Sequence, residues 1–291
     1  MARYGMPWQG SKSRIAEWVV DVLPPSHTLV DLFAGGGAVT HCALLSGKWE
    51  RIIANDMTDS MKVFCAAING EFDGYAACPA RDEWMAYRDT DTAMALLHSF
   101  GNDRTTYLWS SELEAVKRPA SLMVSSPSLW ERYQWYHRFV DALTDYIKSN
   151  GDMPNRLTEL NDRERVGRLV QLERVTRLQG LQGLQGDYRL VDVPEGATVY
   201  ADPPYRGTPN SSRYGAFDFD AFDQWLAGVD FPVFVSEFDA PAGCVEIAQT
   251  ERTTSMSATT TDKRTERIFV QERFYEQCRP KSLFDFMDGD L

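Results

Sequence analysis

The sequence predicts an α/β protein: a doubly wound, mostly parallel sheet interrupted by a largely helical insertion. Three observations carry that expectation. Residues 29–33 form a short apolar run, followed by a glycine cluster at 35–37 and then a helical pattern; a buried parallel strand opens a βα unit in this way. The strand–helix alternation stops near residue 70 and resumes near 195. The strand that resumes it runs straight into Pro203 and Pro204, and two prolines cannot continue a sheet ladder.

Taken in order, residues 13–23 predict a short amphipathic helix. Ile15, Trp18, Val19 and Val22 recur at helical spacing, and Pro24 and Pro25 stop it. The strand at 29–33 leads through the glycines to a helix at 38–45. Residues 51–54 read as a second strand, closed by Asn55 and Asp56 and followed by a helix to about 68. Further strands are expected at 197–201, 233–236, 245–249 and 267–271. The core therefore spans 1–69 and 195–291, and the insertion spans 70–194. Inserted segments of that size usually carry function.

Two features inside the insertion call for a structural reading. Leu169, Leu172, Val175, Leu178, Leu181 and Leu184 recur every third position. That stripe drifts around an α-helix, and Gly180, Gly183 and Gly186 weaken one; a three-residue period suits polyproline-II or 3₁₀ better, although long 3₁₀ runs are uncommon, and a structural connector packed on the core is expected rather than a ligand site. The aromatic cluster Trp130, Tyr133, Trp135, Tyr136 and Phe139 reads as helix core rather than as a base-stacking platform.

The 291 residues suit one large domain or a core with an insertion. With 43% hydrophobic and 25% charged residues, wholesale disorder and a fibrous repeat are excluded. No apolar run approaches the roughly eighteen residues of a membrane helix. The first residues, MARYGMPWQGSKSR, have no apolar segment of the secretory kind, so a cytoplasmic protein with no membrane partner is expected. The five cysteines (42, 65, 78, 244 and 278) form no CxxC pair and predict free thiols. His27, His41, His98 and His137 lack an acid at metal spacing, so no metal site is expected.

The formal net charge of −12 argues, taken alone, against a nucleic-acid partner. The distribution softens that argument. Residues 100–190 hold 13 Lys and Arg against 12 Asp and Glu, whereas the rest hold 17 against 30. A basic face can therefore exist in the middle of the chain.

Three motifs carry chemistry. Asp202, Pro203, Pro204 and Tyr205 come directly after a strand, at the carboxyl end where open α/β sheets bind ligands. A carboxylate, an unpaired backbone carbonyl and an aromatic ring suit an amino group on a flat ring. A proline-rich turn is the plain alternative for the tetrapeptide alone. In the second motif, Asp31, Phe33, Ala34, Gly35 and Gly37 mark a turn where a ligand can approach the backbone. The pattern is not a full GxGxxG, and no P-loop occurs. Asp56 is placed for ribose hydroxyls, with a helix N-cap as its plain alternative. The third motif is Trp8, Gly10 and Lys12, where a lone lysine would ordinarily be a solvated charge.

Together and in this order, the motifs resemble the Dam-type adenine-specific DNA methyltransferases of bacteria and phages. Trp8, Gly10 and Lys12 match that family's W-x-G-x-K element, and Asp31, Phe33, Gly35 and Gly37 its acidic-x-F-x-G-x-G loop. Asp56 matches the acid after the second strand, and Asp202 to Tyr205 the D-P-P-Y motif. Val233–Glu237 matches a VFVSE strand, and Lys263, Glu266, Arg267 and Phe269 a K…E-R-x-F strand. Residues 99–102 and the run 169–186 resemble segments of phage-like members. The likeness covers about 4–68 and 195–272 well, and the middle only in patches.

The resemblance implies a Rossmann-like class I methyltransferase core, with the insertion as target-recognition region. It implies S-adenosylmethionine as cofactor, bound by Trp8, Lys12, Asp31, Phe33, Ala34, Gly35, Gly37, Asp56 and Asp202. Lys12 would meet the methionine carboxylate and Asp56 the ribose. The adenine would be flipped from double-stranded DNA, its amino group donating to Asp202 and the Pro203 carbonyl while Tyr205 stacks on the ring. A monomer is expected. DNA contacts are expected from Arg163, Arg165, Arg168, Arg174 and Arg177, or from a Ser/Thr-rich loop at 253–265 with Lys263 and Arg264. The alternatives are a methyltransferase for another amino group (cytosine N4, RNA or a protein amide) and a catalytically silent DNA-binding relative. Asp202 leans to adenine, since the cytosine class more often has Ser there and the amide class Asn. Intact Asp202, Tyr205, Lys12 and Asp56 speak against decay. No Pro-Cys dipeptide exists, which speaks against cysteine-nucleophile chemistry of the ring-carbon kind.

Overall fold

The structure is a computed structural model and describes residues 4–6, 8, 10–69, 78–100, 104–154, 180–206, 217–257 and 260–279, without the side chains of 252–264. Helix α1 (Ala16–Val22) buries Ala16, Val19 and Val20. It ends at Leu23, whose extended backbone leads into the two prolines. Strand β1 (Thr28–Asp31) is buried throughout, and helix α2 (Ala38–Ser46) comes after the glycine turn. Strand β2 (Arg51–Asp56) is buried from Ile52 onward and leads to α3 (Ser60–Ile68). Helices α4 (Arg81–Tyr87), α5 (Thr92–Leu97), α6 (Ser111–Ser125) and α7 (Leu129–Asn150) come next. Strands β3 (Leu181–Gln185) and β4 (Thr198–Ala201), helix α8 (Phe219–Gly228), strands β5 (Val233–Glu237), β6 (Cys244–Ser257) and β7 (Thr260–Gln271), and the short helix α9 (Tyr275–Cys278) complete the order.

The chain forms two compact units. One holds Ile15–Ala34, Cys42–Thr58 and Gln179–Leu291; the other holds Met1–Arg14, Gly35–His41 and Asp59–Leu178. The first unit contains a seven-stranded sheet in the order β3-β2-β1-β4-β5-β7-β6. The strands from β3 to β5 run parallel, and β7 and β6 are antiparallel. This is the doubly wound, mostly parallel sheet expected from the sequence. Strand order reverses between β1 and β4, which pair with Asp31 opposite Tyr200. Such a switch point leaves a crevice at the carboxyl ends of the two strands.

One face of the sheet is packed by α8. Val30, Leu32, Ile53, Val199, Ala201, Val233 and Val235 form a cluster with Phe222 and Leu226, joined by Tyr188. Burying each larger side chain contributes roughly 1.5–3 kcal/mol, so this cluster holds the switch point in place.

The other unit is helical in the inserted region. Cys78, Trp84, Tyr107 and Trp109 form its cluster. The side chains of Asp91, Ser110 and Ser128 accept N–H groups of the first turns of α5, α6 and α7, and Gly151 in the left-handed region closes α7. Among the described residues, no helix is long and apolar enough to cross a membrane.

Three expectations are corrected. The end of the Leu/Gln/Gly run is neither polyproline-II nor 3₁₀: residues 181–185 form β3, paired parallel with β2 from Ile52↔Leu181 to Asp56↔Gln185. The sheet therefore claims residues that the sequence reading assigns to the insertion. As a half-exposed edge strand, β3 shows no apolar alternation that would announce it. Leu169, Leu172, Val175, Leu178 and the arginines Arg163, Arg165, Arg168, Arg174 and Arg177 lie outside the described residues. The described residues of 253–265 are strand rather than loop: β6 runs to Ser257 and β7 from Thr260, paired antiparallel with Arg252 opposite Arg264. Finally, the aromatic cluster of α7 is not core. No residue of α7 is buried, and Trp130, Tyr133 and Tyr136 are 65%, 55% and 50% exposed. Only Trp135 and Phe139 of the five are half-buried.

Candidate active site

The strand β4 is buried at all four residues, and its hydrophobic TVYA sequence delivers Asp202 to the switch point. The prolines then force the chain out of the ladder. Asp202 and Pro204 are half-buried, while Pro203 and Tyr205 are buried. Beside this exit, Asp31 ends β1 and is buried at 1% exposure. The Leu32 amide donates to the Tyr200 carbonyl at 2.9 Å, so the two strand ends stay joined past the last ladder pair.

Tyr205 is held from several sides. Its hydroxyl donates to Glu266 Oε2 of β7 at 2.7 Å, and its ring meets Phe238 edge-on, with centroids 4.5 Å apart at 88°. Glu237, the last residue of β5, accepts the amide of Arg206 at 3.2 Å and that of Phe238 at 2.9 Å. The Arg206 guanidinium pairs with Asp223 of α8 at 2.6 Å. Sequence reasoning passes over Glu237 and Glu266 as site residues. Glu237 closes the apolar strand VFVSE, whereas Glu266 lies among the polar residues of TERI; neither pattern by itself marks a site.

The electrostatics of this wall arise from burial among like charges. Burial pushes the Glu237 carboxyl up to about 7, with Asp202 adding to the rise and the two amides and Arg206 opposing it. Burial and the nearby Asp202 and Glu266 push the Tyr205 phenol well above its ordinary range. Tyr205 therefore remains an O–H donor throughout the physiological range.

The turn after β1 is tied to the end of β2. Ala34 donates its amide to the Asn55 carbonyl at 2.8 Å, and Asn55 Nδ2 donates to the carbonyls of Leu32 and Gly186 at 3.1 and 3.0 Å. Asn55 is a further residue that the sequence reading passes over. Asp56 is buried, and its Oδ1 accepts the amide and hydroxyl of Thr58 at 2.9 and 2.7 Å. It is not the N-cap of α3, a place taken by Asp59.

The remaining predicted residues lie in the other unit. Gly35 and Gly37 have φ of +53° and +72°, a backbone conformation that favours glycine. A Cβ on Gly36 would stand 2.6 Å from that of Trp8, and one on Gly37 would stand 2.7 Å from the Phe64 ring. Trp8 thus packs directly on the glycine turn. Lys12 is buried in the same unit, contrary to the solvated charge a lone lysine suggests. Among the described residues, no group of three or more His, Cys, Asp or Glu is placed to hold a metal ion.

Residues 8–121 match the family model of the D12 class N6 adenine-specific DNA methyltransferases. The match takes in Trp8, Lys12, the glycine turn and Asp56, in agreement with the resemblance read from the motifs, and ends before the strand that leads to Asp202. No curated protein matches the chain. Among solved structures, the chain is similar to a proposed RNA methyltransferase of Pyrococcus horikoshii, with 10% identity, a TM-score of 0.32, and 88% of this chain and 78% of that one covered. It is also similar to the M. jannaschii tRNA m1G37 methyltransferase, with 11% identity, a TM-score of 0.32, and 91% and 49% covered.

Proposed function

We propose that this protein transfers a methyl group from S-adenosylmethionine to the 6-amino group of adenine in double-stranded DNA. One observation carries the reading: the acid, proline pair and buried tyrosine of residues 202–205 leave β4 at the switch point of a doubly wound sheet. The family match over residues 8–121 supports adenine and DNA.

The residues present suit the cofactor. Asp56 is a buried carboxylate at the end of β2, an acceptor type that ribose hydroxyls require, and Lys12 offers the charge that a methionine carboxylate requires. When bound, S-adenosylmethionine supplies an electrophilic methyl group on a sulfonium. The protein's part is positioning. The Asp202 carboxylate and the Pro203 carbonyl accept the two amino protons of a flipped adenine and so aim the nitrogen lone pair. Tyr205 offers its ring face to the base. The Asp202 carboxylate, already hydrogen-bonded to the amino group, is the nearest acceptor for the proton the nitrogen sheds after transfer.

Labelled S-adenosylmethionine incubated with unmethylated plasmid tests this reading. The label enters DNA, and Asp202→Ala removes it while the protein stays folded. Label that enters RNA or protein but not DNA would reject the substrate class. Asp202→Ala with undiminished transfer would reject the site.

A further inference from the structure

We propose that Glu266 is a positioning residue: it fixes the direction in which the Tyr205 ring points, so that, with Phe238 limiting rotation about that axis, the ring offers its face to a target base. The inference rests on the function proposed above and goes beyond it, because nothing in that reading assigns a role to β7.

Tyr205 belongs to the turn after β4, whereas Glu266 stands on β7, two strands away across β5. The phenol reaches over the end of β5 to donate to Glu266 Oε2 at 2.7 Å. Both side chains are buried, Tyr205 at 9% exposure and Glu266 at 3%. A buried carboxylate is a costly choice where an apolar side chain would pack, so its presence calls for a partner that needs it. Tyr205 is such a partner, since a ring that must stack needs its tilt fixed as well as its location. A phenol tethered at its hydroxyl and at its Cα can no longer swing about the Cα–Cβ bond.

The surrounding contacts complete the restraint. Phe238 meets the ring edge-on at 88° and limits its rotation. Glu237 accepts the amides of Arg206 and Phe238, which fixes the backbone just after the ring and the residue that packs on it. The phenol stays protonated because burial and the neighbouring carboxylates raise its pKa, so the hydroxyl remains a donor across the working pH range.

The test uses the full chain with Glu266→Ala, Glu266→Gln, Tyr205→Phe and the Tyr205→Phe/Glu266→Ala double variant. Two readouts fail independently. The first is the ¹³C spectrum of ring-labelled tyrosine without DNA, with the Tyr205 signal assigned by its loss in Tyr205→Phe. That signal should shift and average in Glu266→Ala and stay near its wild-type position in Glu266→Gln, whose amide oxygen still accepts. An unchanged signal in Glu266→Ala overturns the proposal whatever the substrate is. The second readout is methyl transfer to DNA. Glu266→Ala should lower kcat about tenfold or more while the KM for S-adenosylmethionine stays within about twofold. Glu266→Gln should recover most of that loss, and the double variant should be no slower than the slower single variant. Equal losses in kcat and cofactor affinity, or losses that multiply in the double variant, would make Glu266 merely structural and overturn the proposal. A wild-type protein that methylates no DNA defeats the substrate reading instead, and the tyrosine spectrum still decides the restraint.

Discussion

Glu237 couples proton uptake to folding. Its carboxyl lies at about 7 in the folded protein, above the ordinary 4.5, because burial disfavours the charge. A folded state with the raised pKa binds the proton more tightly than the unfolded chain does. The stability from this group is thus fully present below about pH 4.5 and is lost as pH rises through 7. The loss is on the order of 3 kcal/mol at most. Glu237→Gln should remove that slope, leaving a constant offset from the altered hydrogen bonds to Arg206 and Phe238. Urea unfolding of both proteins from pH 5 to 8 measures it: the variant gains on the wild type as pH rises, and a flat difference would contradict the assignment. At the same scale, Asp202→Asn should lower kcat for adenine methylation by at least about a hundredfold, since an amide oxygen can accept one amino proton but lacks the charge and basicity to take up the proton the nitrogen sheds. Steady-state transfer kinetics read this directly.

At the scale of elements, β3 depends on a single glycine. Gly180 has φ +102°, and a Cβ there would lie 2.2 Å from the Glu50 carbonyl oxygen. Its own carbonyl accepts the Ile52 amide at 2.7 Å, which starts the β2–β3 ladder. Gly180→Ala should therefore cost roughly 2 kcal/mol or more, seen as a lowered denaturation midpoint. The opposite holds for α7: Trp130→Ala and Tyr133→Ala should each cost less than about 1 kcal/mol, because neither ring is buried. These two elements also show where sequence reading loses its grip. Strands β1, β4 and β5 are buried on both faces, so their apolar runs announce them. The edge strand β3 is written in Leu, Gln and Gly with a three-residue period, and the distal half of the β6–β7 pair mostly in Ser, Thr and charged residues, so neither shows the two-residue apolar alternation of a strand. Aromatic residues at helical spacing look alike whether the helix is covered or not, so the sequence hides the exposure of α7. In the site, Asp202 to Tyr205 and Asp56 are legible because they end strands. Glu237 and Glu266 are not legible as site residues, because their meaning depends on contacts made across strands.

At the scale of the molecule, the proposed action on DNA requires a chain with net charge −12 to concentrate its cations. The β6–β7 pair offers one such place, with Arg252 opposite Arg264 and Thr253 opposite Lys263 in its register. Joint reversal of Lys263 and Arg264 to Glu should weaken DNA binding and flatten the dependence of log K on log salt by about two. Fluorescence titration over a salt series checks this. The measurement that bears most directly on adenine methylation at Asp202 is nucleoside mass spectrometry of DNA from methylation-deficient cells that express the protein. Wild type should yield N6-methyladenine, and Asp202→Ala none. N4-methylcytosine in its place, or unmodified DNA despite measurable binding of S-adenosylmethionine, would contradict the proposed function.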